Sequence, residues 1–199
     1  MKPSSLIQSI QTALLFVFAC GGMALHAQST NTPPASASAP TSSSLVSNGN
    51  FESTSKNPSW PDDWPKAKGV TWETENGAHF LHIVADQPDQ HLMVYREIAI
   101  PAGVKNLQIT IRYRTSGVHV GSQQWYDARA IFHFLNDSRK QVTPDPKVMV
   151  FSKEASAWTE VSEPCVVPDG ATKLVLMPSL YMVQAGTLDL AEISVTVTP

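Results

Sequence analysis

Cysteine is scarce in this chain: 199 residues contain two, Cys20 and Cys165. Cys20 sits in an apolar leader, so once the leader is cut Cys165 stands alone and no internal disulfide can staple the folded part. The core must then hold by packing. Cys165 lies in the strand-like run Pro164-Cys-Val-Val167 and reads as a buried, inert thiol. Charge is sparse too, at 16% of residues and a net −3 with no cluster of Lys or Arg. That excludes a nucleic-acid backbone as the ligand and points to a neutral or weakly charged partner. No segment sustains the apolar spacing of a helix. Gly-x-Ser-x-Gly, His-Glu-x-x-His and phosphate-loop patterns are all missing.

What is present begins with a leader. Residues 1–27 carry one Lys, the apolar run Ala13 to Cys20, and Leu25-His-Ala27 before Gln28, the layout of a signal peptide whose apolar run is too short to anchor. An alternative takes Val17-Phe-Ala-Cys20 as a lipoprotein box, with Cys20 lipidated and the protein held on a membrane; Phe18 stands where such boxes hold a smaller residue. Residues 28–44, QSTNTPPASASAPTSSS, have no large apolar side chains to offset chain entropy and read as a disordered linker. Residues 45–199 are left as one folded domain of about 150 residues, long enough to bury a core.

Within that domain the pattern is of strands and turns. The segments are 79–84, 92–100, 107–114, 128–135, 148–151, 158–161, 173–177 and 187–197, with turns at Pro101-Ala-Gly103, Asn136-Asp-Ser138 and Pro168-Asp-Gly170. In the clearest strand, Leu107, Ile109, Ile111 and Tyr113 alternate with Gln108, Thr110, Arg112 and Arg114, giving one dry and one wet face. In the last, Leu188 and Leu190 keep one phase while Ile193, Val195 and Val197 keep the other, so a β-bulge is expected near Ala191-Glu192. Many short strands at this spacing predict an all-β, two-sheet antiparallel sandwich of the jelly-roll type.

Several segments, taken in order, resemble the jelly-roll carbohydrate-binding modules related to families 4, 9 and 22, of the kind attached to bacterial glycoside hydrolases. They are Asn48-Gly-Asn-Phe51-Glu52, Pro61-Asp-Asp-Trp64, Pro101 to Tyr113, Trp125-Tyr-Asp-Ala-Arg129, Trp158 to Tyr181, and Gly186 to Val197. The resemblance implies polysaccharide binding without catalysis. It also implies a structural calcium, held in such modules by the opening Glu and an Asp pair of the closing strand. Here Ala191 and Glu192 stand at the pair's positions, so Glu52 with Glu192 or Asp189 would supply only part of the six or more oxygens calcium needs. No other cofactor is implied.

A sugar ring offers an apolar face and a rim of hydroxyls, so its site needs a flat aromatic and fixed polar groups. Trp125, Asp127 and Arg129 share one side of an extended strand and are the expected lining of a concave cleft, with Gln123 and Gln124 on its rim; Tyr126 then points the other way, toward the core. The opposing reading pairs Asp127 with Arg129 as a structural ion pair. Trp60, in the Pro-rich loop before Trp64, is the candidate for a second exposed aromatic, and Tyr181 could reach the cleft from a neighbouring strand. Trp64, Trp72 and Trp158 read as core. His79 and His82 fall on opposite faces of a strand and read as structural or surface residues, while His133 opposes Phe132 and Phe134. Asp62-Asp63 reads as an exposed turn pair that caps backbone N–H groups.

The expected function is that of an exported module that binds oligosaccharide or polysaccharide, as a monomer and without chemistry. Two alternatives remain: a small jelly-roll glycoside hydrolase or lyase with carboxylates from separate strands, and a structural or protein-interaction domain of the cell envelope. The Glu-x-Asp-x-x-Glu strand of jelly-roll glucanases is missing.

Overall fold

The computed structural model describes residues 43–199, and the expected leader, the lipoprotein cysteine and nearly all of the linker lie outside them. Every regular element among the described residues is a strand: β1 (Val70–Glu75), β2 (Ala78–Ala85), β3 (Gln90–Met93), β4 (Arg96–Ala99), β5 (Asn106–His119), β6 (Ala128–Leu135), β7 (Gln141–Val142), β8 (Met149–Val150), β9 (Thr159–Val166), β10 (Lys173–Val183) and β11 (Ala185–Thr198). All pairings are antiparallel and form two sheets. One has five strands in the order β1-β2-β11-β5-β9. The other has six, β3-β10-β6-β7, with β4 also on β10 and β8 also on β6. The expected all-β sandwich is present.

Alternation builds the core. Leu107, Ile109, Ile111 and Tyr113 of β5 pack with Leu188, Leu190, Ile193 and Val195 of β11 on one side. Phe132 and Phe134 of β6 pack with Leu174, Leu176 and Leu180 of β10 on the other. Full burial of each large side chain contributes roughly 1.5–3 kcal/mol. The pairing of β11 with β5 shifts register between Leu190 and Glu192, the bulge that the change of phase in the sequence requires.

Two differences from the sequence reading concern strand ends. The segment 92–100 is two strands, because Val94 and Tyr95 break between β3 and β4 and both halves pair the same neighbour, β10. Strand β1 begins at Val70, directly after the Pro-rich stretch, and turns into β2 through Asn76-Gly77, both with positive φ. That pair is the preferred centre of a tight hairpin.

The opening motif and the Pro-rich loop lock together. Trp64 Nε1 donates to the Asn48 carbonyl at 2.8 Å, Trp72 Nε1 to the Phe51 carbonyl at 3.1 Å, and Asn48 Nδ2 to the Asp62 carbonyl at 2.9 Å. Trp60 is buried here, 8% exposed, with its Nε1 donating to the Trp64 carbonyl at 2.7 Å. The expectation of an exposed Trp60 is therefore corrected: the loop folds back on the core, and the indole N–H finds a partner only inside it. Asp62 is buried as well, not exposed. It caps the loop as expected, accepting from the backbone N–H groups of Ser55 and Lys56 and from the Ser53 and Ser55 hydroxyls.

Candidate functional site

Pairing fixes which side chains share the outer face of the six-stranded sheet. In β6 the core takes Ala128, Ala130, Phe132 and Phe134, so Arg129, Ile131, His133 and Leu135 face outward. Their partners across β10 are Ser179, Met177, Val175 and Lys173, and β3 and β4 add His91 and Met93, and Glu97, in the same phase. From Tyr181 to Lys173 this face runs about 27 Å at the usual rise per residue. Met93, Met177 and Ile131 make its middle apolar, and the two ends are polar.

One end gathers the aromatics. Tyr126 meets Tyr181 at 5.5 Å between ring centroids, Trp125 meets Tyr126 at 6.1 Å nearly edge to face, and His91 meets Tyr181 at 4.6 Å. Trp125 is 54% exposed and Tyr126 half-buried. Alternation fails for this pair because β6 starts only at Ala128. Residues 122–126 form a turn, closed by Tyr126 N–H donating to the Gln123 carbonyl at 2.9 Å, so neighbouring side chains are free to reach one face. Tyr126 thus belongs to the site and not to the core. Gly121 seats the turn: its N–H donates to the Tyr126 carbonyl, and a Cβ there would stand 2.0 Å from the Met182 carbonyl oxygen. Opposite it, the β10 pairing with β3 is irregular between Tyr181 and Val183, with Met182 at φ 51°, which helps to aim Tyr181.

Arg129 provides the polar group. Its Nε donates to Asp127 Oδ1 at 2.5 Å and its guanidinium carbon lies 6.0 Å from the Tyr181 ring. Asp127 is 5% exposed. The opposing reading of this pair is what the structure shows: it is an ion pair, and it holds beside the Tyr181 ring a guanidinium whose Nη groups have no protein partner among the described residues. Gln123 is exposed on the same turn. Of the expected lining, then, Trp125, Arg129, Tyr181 and Gln123 come together with Asp127 beneath, and Trp60 does not join them. Alternation alone turns Tyr126 away from Trp125, and the turn reverses that; His91 carries no sequence signal of the site, for want of any nearby motif.

At the far end Glu97 forms ion pairs with Lys173 and Arg139, both at 2.9 Å, and His133 meets Asp145 at 2.9 Å. The hydrogen bond from Lys173, which outweighs desolvation, holds the Glu97 carboxyl below its ordinary range. Both carboxylates are engaged by protein partners.

The three carboxylates expected near a calcium do not fit one. Glu52 is taken by the backbone N–H and ring of His79, and Asp189 has one oxygen on His82 and the other on Arg114 at 2.7 Å, a cation where a metal would need room. Glu192 is exposed. No group of three or more His, Cys, Asp or Glu disposed to hold a metal occurs among the described residues. Trp158, expected in the core, is half-buried on the outer face of the other sheet. Burial, with Glu163 nearby, pushes the Cys165 thiol up to about 11, so it is not a nucleophile near neutrality.

No family model matches the chain, and no curated protein does either. Solved structures do match, mainly carbohydrate-binding modules with jelly-roll-like folds. The enzymatically active domain of tailspike protein 4 of bacteriophage CBA120 is 13% identical with a TM-score of 0.59, over 78% of this chain and 21% of that one. A CBM4 structure is 13% identical with a TM-score of 0.51, over 77% of this chain and 99% of that one. A family 16 carbohydrate-binding module is 12% identical with a TM-score of 0.51, over 76% and 99%. Likeness at these identities shows a shared fold; the chain spans about a fifth of the tailspike domain.

Proposed function

We propose that this chain is an exported, non-catalytic carbohydrate-binding module that holds a neutral polysaccharide or oligosaccharide across the outer face of its six-stranded sheet. The observation that carries the reading is the run of rings Trp125, Tyr126 and Tyr181 with an Arg129 guanidinium, held by Asp127, beside Tyr181. A ring stacked on Trp125 would present its hydroxyl rim to Arg129 and Gln123, and the apolar stretch of Met93, Met177 and Ile131 would underlie the next units of the chain. Carbohydrate-binding modules among the structures of the same fold support the assignment of ligand class.

The absence of chemistry rests on the carboxylates. A glycosidase keeps one carboxyl protonated near neutrality by raising its pKa. On this face Asp127 and Glu97 are ion-paired instead, and the Glu97 carboxyl is lowered. Export follows from the signal-peptide reading of residues 1–27, with secretion, periplasmic release or, through Cys20, a lipid anchor as its forms; the protein works as a monomer. Affinity electrophoresis of the protein in gels of xylan, β-glucan and mannan, with anionic pectin as the contrasting gel and Trp125→Ala alongside, tests the proposal. Retardation by one glycan that the variant loses while remaining folded supports it. Release of new reducing ends by the wild type would replace it with the hydrolase reading.

A further inference from the structure

The opposite outer surface, that of the five-stranded sheet, carries a second constellation that the proposed function does not use. Phe80 of β2 points away from the core and is nonetheless only 7% exposed, because Trp158 covers it edge-on at 5.5 Å and the Arg114 guanidinium lies 5.3 Å from its ring. Arg114 is held on both sides, by Asp189 at 2.7 Å and by both oxygens of Glu75 at 2.9 and 3.0 Å. It also stacks at 4.4 Å on Trp158, whose Nε1 donates to Glu75 at 3.1 Å. These contacts fix the aromatic pair and its carboxylate. Beside them opens a cavity of about 210 Å³ lined by Glu75, Asn76, His79, Phe80, Arg112 and Trp158, with the small Ala78 and Ala191 completing its wall. The bulge in β11 places the small Ala191 in its wall, where regular pairing would run on without the extra residue.

We propose that this cavity is a second binding site, separate from the first, that takes a single uncharged, hydroxyl-rich ring such as one monosaccharide unit. Its walls combine apolar aromatic surface with an acceptor at Glu75, a mixed donor and acceptor at Asn76 and a donor at Arg112, the complement of a ring with hydroxyls of both senses. Arg112 is exposed and has no ion-pair partner among the described residues, so its donors are free to turn inward; it lies 5.6 Å from the Trp158 ring. An anionic ring is disfavoured, because Glu160 and Glu192 are the strand partners of Arg112, and Glu75 and Asp189 already offset Arg114. The cavity is too small for a long ligand lying lengthwise. With sites on opposite faces of one sandwich, a single molecule would join two glycans.

The five tryptophan indole N–H signals make the two sites separately visible by NMR. The protein is titrated with glucose, galactose, mannose, xylose and arabinose, in the wild type and in Trp125→Ala and Arg112→Ala. A saturable shift of the Trp158 indole and the Asn76 amide with at least one sugar, unchanged in Trp125→Ala and weakened severalfold in Arg112→Ala at unchanged Tm, is the expected result. Two results overturn it: a Trp158 signal that no sugar moves, or one whose response vanishes in Trp125→Ala and so reports only the first site. Failure of the first site reads out independently, as a Trp125 indole left unmoved by oligosaccharides of xylan, β-glucan and mannan.

Discussion

Trp60 in the loop 57–64 is 8% exposed, whereas Trp125 in the loop 121–126 is 54% exposed, although both stand among polar residues in segments without regular structure. The difference lies in what each loop can lean on. The first is drawn inward by a chain of indole bonds, Trp60 to Trp64 and Trp64 to Asn48, and by Asp62, which gathers four donors from the preceding residues Ser53, Ser55 and Lys56. The second is a tight turn seated by Gly121 against the Met182 carbonyl of β10, and Trp125 stands out from it into solvent. A tryptophan in a loop is a ligand platform only when the loop cannot fold over it.

The sharpest way to break this comparison is to truncate both indoles. Trp60→Ala should cost about 3–5 kcal/mol of stability, as for other buried aromatics, read as a lower denaturant midpoint, with glycan retention intact wherever the protein is folded. Gly121→Ala comes next, because the new Cβ meets backbone at 2.0 Å: a loss of about 1–3 kcal/mol is expected, together with weaker glycan retardation, since the turn that carries Trp125 must shift. Trp125→Ala should do the reverse of Trp60→Ala. Its unfolding free energy should change by less than about 0.5 kcal/mol, while affinity for the glycan falls about tenfold, near 1.4 kcal/mol.

The smallest effect is one of acid. The Asp62 carboxyl is lowered from 3.8 to about 2, chiefly by the Ser55 hydroxyl, so the bonds it accepts contribute fully above 3.8 and are lost as pH falls through about 2. Tm measured against pH for the wild type and Asp62→Asn should differ by a constant amount above that window and converge within it. A difference that persists to the acid limit would show that the loop does not depend on the ionised carboxylate. The Trp125 turn contains no such group, so its variant should run parallel to the wild type.

Much of the fold was legible in the chain. β6 has the bounds that its alternation predicts, and the phase slip at Ala191-Glu192 is a bulge, because period-two patterning is a local property that either face must obey. The division of 92–100 into β3 and β4 was not legible, since an apolar run carries no mark of where its partner strand forces a break. The site was half legible. Trp125, Arg129 and Tyr181 carry the right chemistry in plain view, but Tyr126 was assigned to the core by extending alternation into a turn, and His91 reaches Tyr181 from a strand ninety residues earlier in the chain. Trp158 looked like core because its neighbours alternate, yet it lies on the outer side of β9 against Arg114.

By itself, then, the order of residues determined the class of fold and the inward and outward faces of the long strands, both of which follow from the two-residue repeat of a pleated chain. Only the tertiary structure decided which tryptophans meet water and which side chains converge, because exposure and convergence depend on segments far apart in sequence that compete for the same space.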